Sequence, residues 1–69
     1  MIEEYGDYTI VVAPNGRMFT AKVVPTAKVT LIQRGPTPVA EFDECAVVQR
    51  ASRITPAAAV YAVKRLMPM

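Results

Sequence analysis

The sequence predicts an α+β fold: a three- to four-stranded antiparallel β-meander followed by one or two C-terminal helices packed on the sheet. Three observations predict it. Short runs rich in β-branched residues recur as far as residue 42, separated by turn signals that contain Pro and Gly. From residue 43 the apolar spacing changes to that of a helix. Near the end, Thr55-Pro56 and Pro68 mark a helix start and stop. With 69 residues the chain makes one domain, residues 1–42 forming the meander and 43–67 the helical segment.

The residues before Tyr8 read as a short, acidic, frayed end or a brief strand extension. A hairpin then spans residues 8–24, with strands at 8–13 and 17–24 around Ala13-Pro14-Asn15-Gly16-Arg17. In one register Pro14 and Asn15 form a type I turn and Gly16 takes the left-handed position of a G1 bulge. That register pairs Val12 with Met18 and Ile10 with Thr20. It places Tyr8, Ile10, Val12, Met18, Thr20 and Lys22 on one face, and both faces are substantially apolar. In the rival register a type I′ turn at Asn15-Gly16 pairs Val12 with Phe19 and Ile10 with Ala21. It yields one clean apolar face, which favours it, but puts Pro14 at the closing pair, where a ladder hydrogen bond is lost. Turn chemistry is given the greater weight.

Pro25-Thr26-Ala27 makes the next tight connection. Strand three, residues 28–34, alternates Val29 and Leu31 against Lys28, Thr30 and Arg34. Gly35-Pro36-Thr37-Pro38 reads as a loop, because two prolines and a glycine interrupt a ladder. Residues 39–42 suit a short fourth strand. Asp43 can cap a helix running to residue 51 or 52, with acids at its start and Arg50 near its end to complement the dipole. The β-branched Val47 and Val48 keep a strand open for residues 45–49. In the last helix Thr55 is the cap and Pro56 the first residue. Ala59, Val60, Val63, Leu66 and Met67 fall on one face, and Tyr61, Lys64 and Arg65 on another.

A core this small supplies only about 3–5 kcal/mol, and such scaffolds usually carry an extra staple. A disulfide framework needs more than the single Cys45, which reads as a buried, inert thiol. A zinc site within one chain is not expected, because the sequence has one cysteine and no histidine. Self-association or a protein partner is therefore the expected staple, and the 52% hydrophobic content agrees with it. The acidic start lacks a leader's basic and apolar regions, and no run reaches the roughly 18–20 apolar residues of a membrane span. A cytoplasmic protein without membrane contact is expected, and the terminal methionines read as a complete small gene product.

The absence of histidine removes the commonest general base and the Ser-His and Cys-His pairs. Glu41, Asp43 and Glu44 read as helix-start acids rather than a hydrolytic pair. The three glycines sit at separate turns and do not form a phosphate-cradling loop. The reading is a non-enzyme, with no cofactor and no small-molecule substrate. Two binding functions compete. In the first, a protein-binding module uses Tyr8, Ile10, Val12 and Met18 as an apolar centre with Lys22 at the rim. In the second, a nucleic-acid-binding regulator uses Arg50, Arg53, Lys64 and Arg65, which belong to a segment from Cys45 onward that has no acid. The outline of residues 44–67, helix, short turn, helix, is loosely that of a helix-turn-helix, without its usual turn glycine. No stretch carries a family signature. Size and composition fit small phage or mobile-element proteins, so an inhibitor or modulator of a larger host complex is placed first.

Overall fold

Three two-residue turns, each led by glycine, organise the strands. The computed structural model describes residues 1–68. Among them β1 (Ile2–Tyr5), β2 (Tyr8–Asn15), β3 (Met18–Pro25), β4 (Thr30–Arg34), β5 (Thr37–Glu41) and β6 (Gln49–Arg53) precede α1 (Pro56–Leu66). Gly6, Gly16 and Gly35 have φ of +60°, +65° and +59°. They follow the closing residues Tyr5, Asn15 and Arg34, which pair with Tyr8, Met18 and Thr37. Positive φ at the first central residue and not the second is the type II′ pattern, whose twist suits a hairpin.

The fold is α+β, with more strands than the sequence predicts and one α-helix. β1, β2, β3 and β6 form an antiparallel sheet in that order, and β4 and β5 form a separate two-stranded sheet. The acidic start is thus a paired strand: Ile2 lies opposite Val11 and Tyr5 opposite Tyr8.

Neither predicted register of the central hairpin is the observed one. Asn15 pairs with Met18, Pro14 with Phe19, Val12 with Ala21 and Ile10 with Val23. The loop is Gly16-Arg17, and Pro14 belongs to β2. Its missing N–H costs no ladder bond, and the reason is visible in β1. Val12 exchanges backbone hydrogen bonds with Met1, at 2.9 and 3.2 Å. Alternation turns Pro14 to that same side, beyond the end of β1. The faces, by contrast, follow the apolar pattern. Tyr8, Ile10 and Val12 share a face with Phe19, Ala21 and Val23, while Met18, Thr20 and Lys22 lie on the other.

α1 covers the apolar face. Ile10, Val12, Ala21 and Val23 pack with Ala59, Val60, Val63 and Met67, and Tyr5, Tyr8, Phe19 and Ala51 close the rim. Thr55 Oγ1 accepts from the Ala58 N–H at 3.1 Å, as its cap position requires. Leu66 departs from the predicted face: it is 50% exposed, and Met67 fills the core instead.

The predicted helix over 43–52 does not form. Asp43 does cap, accepting from the Cys45 N–H at 2.9 Å, but the capped element is the single 3-10 turn Glu44–Ala46. That backbone N–H holds the Asp43 carboxyl below its ordinary value of 3.8. Gln49–Arg53 then pairs with β3, Ala51 opposite Ala21, so a free sheet edge has claimed residues that local signals assign to a helix. Cys45 is exposed on this turn, not buried. Pro38, read as part of a loop, lies in β5 opposite Gln33.

Residues flanking the β4–β5 hairpin and at its base reach the second face of the main sheet. Thr9 Oγ1 meets Thr26 Oγ1 at 3.0 Å, and Ala40 and Phe42 border a groove floored by Val11, Thr20 and Lys22. Thr20 is buried, its hydroxyl 2.7 Å from Ser52 Oγ and 3.2 Å from Asn15 Nδ2, so the polar groups inside are satisfied.

Candidate functional site

The five residues expected to form an apolar binding centre are divided between the two sheet faces. Ile10 and Val12 are 0% and 6% exposed beneath α1, and Tyr8 packs against the same core. Met18 is on the reverse face and 40% exposed. Lys22, also on the reverse face, pairs with Glu44, and its Nζ lies 5.9 Å from the centre of the Phe42 ring.

The four basic residues of the alternative reading are likewise dispersed. Arg50 is on the reverse face, 3.6 Å from Glu44, so Glu44 serves two cations. Lys64 reaches across the helix face to Glu3 and over the Tyr5 ring. With residues 49–53 in a strand, the helix-turn-helix outline is absent. Arg53 and Arg65 alone of the four come together, on the helix side of β6.

There they line a groove of about 460 Å³ with Ala58, Tyr61, Ala62 and Leu66. Local sequence places each part. Residues 58, 62 and 66, and 61 and 65, recur at the four-residue spacing that puts side chains on one helical face. The alanines keep the floor low. Tyr61 is 62% exposed and Leu66 50%, and the nearby Ile54 reaches 75%. Arg65 lies over the Tyr61 ring, 5.7 Å from its centre, and its Nη1 donates to the Tyr61 hydroxyl at 3.3 Å. Arg53 Nη1 donates to the Ser52 carbonyl oxygen at 2.6 Å. Among the described residues neither guanidinium faces a carboxylate, whereas Lys22, Arg50 and Lys64 all do.

β6 itself is an edge strand. β3 pairs one side of it, and among the described residues no strand pairs the other. Such an edge offers unpaired N–H and C=O groups to an incoming chain. The arrangement of edge strand, low apolar floor and two guanidiniums is absent from the sequence-based site. The outward position of Tyr61 and Arg65 on α1 was legible; that of Leu66 and the edge position of β6 were not.

The chain matches no protein-family model, and neither the curated proteins nor the solved structures include a significant match to it. Among the described residues no helix is long and apolar enough to cross a membrane.

Proposed function

We propose that this chain is a small non-catalytic protein-recognition module that takes an extended, acidic segment of a larger partner alongside β6. The observation that carries the reading is the side of β6 that no strand pairs among the described residues, beside a groove whose two guanidiniums face no carboxylate among those residues. Main-chain pairing to an edge supplies affinity, and pockets for alternate side chains supply specificity. On the helix side, Tyr61 and Leu66 would receive apolar side chains, while Arg53 and Arg65 would receive carboxylates as charge-assisted hydrogen bonds. Modulation of a larger complex would follow from occupying a segment that the complex needs.

The test is titration with a short peptide alternating valine and glutamate, followed by amide chemical shifts. The expected result is perturbation centred on β6 and the outward face of α1. Changing Arg53 and Arg65 together to alanine should weaken binding at least tenfold, since a hydrogen bond to a charged group contributes about 1.5–3 kcal/mol. Equal binding of a valine–lysine peptide, or perturbation elsewhere, would reject the proposal. Preference for a DNA duplex, with affinity falling steeply as salt rises, would transfer the function to the nucleic-acid reading.

A further inference from the structure

We infer that the β4–β5 hairpin is a self-association arm whose Ile32–Val39 face docks on the same face of a second copy of this chain. This rests on a different element from the β6 groove. β4 and β5 pair with each other and with no other strand among the described residues. Along the arm the rungs are Thr30–Glu41, Leu31–Ala40, Ile32–Val39, Gln33–Pro38 and Arg34–Thr37. Alternate rungs share a face, so Ile32 and Val39 lie between Thr30–Glu41 at the base and Arg34–Thr37 at the tip. Ala40, on the reverse face, borders the groove over the main sheet. Ile32 and Val39 lie on the face opposite Ala40, Ile32 half-buried and Val39 39% exposed, with Arg34 and Glu41 both exposed; Leu31, on the Ala40 face, is 59% exposed.

The charge pattern names the occupant. Glu41 and Arg34 sit at opposite ends of this face, about 7 Å on either side of the Ile32–Val39 rung at the usual strand rise. Among the described residues neither belongs to an ion pair. A two-fold axis that crosses the strands at that rung, between two facing arms, exchanges base and tip. It stacks Ile32 on Ile32 and Val39 on Val39 of the other copy. It also brings each Arg34 to the end that carries the other copy's Glu41. The face is thus complementary to itself under one two-fold operation, as an isologous interface requires. The other in-plane two-fold, along the strands, would set Arg34 against Arg34.

Sedimentation equilibrium of the full chain tests this, with circular dichroism as the check on folding. Wild type should show a reversible monomer–dimer equilibrium in the micromolar range. Arg34→Glu alone and Glu41→Arg alone should each weaken the dimer by about tenfold, because each breaks both symmetric pairs and sets like charges together. The double variant restores opposite charges across the two-fold and should return to near wild-type association. Val39→Glu should abolish the dimer. A wild type that stays monomeric at millimolar concentration would overturn the inference. So would a dimer that survives Val39→Glu, or a double variant no better than the singles, since pairing would then run through a sheet edge or another face.

Discussion

At the scale of single residues, Gly16 isolates a backbone effect. Its φ is +65°, and a Cβ built there meets no atom within 4 Å. A side chain at this position therefore pays only for the left-handed conformation, which is most unfavourable for a β-branched residue. Gly16→Val should destabilise the fold by about 1 kcal/mol or more in urea denaturation. D-alanine introduced there by synthesis should be neutral, because its preferred φ is positive. Equal destabilisation by both would mean that space, not φ, is limiting. The need for positive φ at Gly16 was legible in the sequence; the identity of the turn was not. Pro14 and Asn15 have strong turn preferences, but those preferences describe an isolated peptide. In the sheet, Pro14 faces the side beyond the end of β1, where the lack of an N–H is harmless.

At the scale of elements, the β4–β5 arm and the central hairpin differ in what supports them. β2 lies between β1 and β3 beneath the helix, whereas β4 and β5 have only each other as strand partners among the described residues. A two-stranded hairpin alone is marginal in water. In dilute protein, the hydrogen-bonded amides of residues 30–41 should exchange at least tenfold faster than those of β2 and β3, as measured by native-state hydrogen exchange. Equal protection would show that the arm opens only with the whole fold. The segment 43–53 teaches a related point. The Asp43 cap signal is genuine, and the residue caps as read. Cap chemistry specifies where a turn starts, not how far it runs. Pairing with β3 decided the rest, and it claimed residues 49–53, whereas the β-branched Val47 and Val48 had suggested a strand at 45–49.

At the scale of the whole molecule, a core this small leaves little margin. Ile10 is fully buried between β1, β3 and α1. Ile10→Ala should cost about 2–5 kcal/mol, comparable to the roughly 3–5 kcal/mol that such a core supplies. That variant should be largely unfolded at room temperature by circular dichroism, while Leu66→Ala, at an exposed position, should change the melting temperature little. The reverse ranking would mean that α1 packs by the face bearing Leu66. The sequence by itself determined the α+β class, the final helix with its Thr55 cap, the Gly16 turn position and the partition of the central hairpin's faces in one of its two registers. These follow from local chemistry: alternation, side-chain capping and the φ range of single residues. Tertiary structure decided the hairpin register, the pairing of residues 2–5 and 49–53 as opposite edges of one sheet, and hence the grouping of Arg53 with Arg65. Strand edges carry no local signature, because the backbone groups that pair are the same in every residue. Only the assembled sheet determines which strands pair on both sides and which lie at an edge.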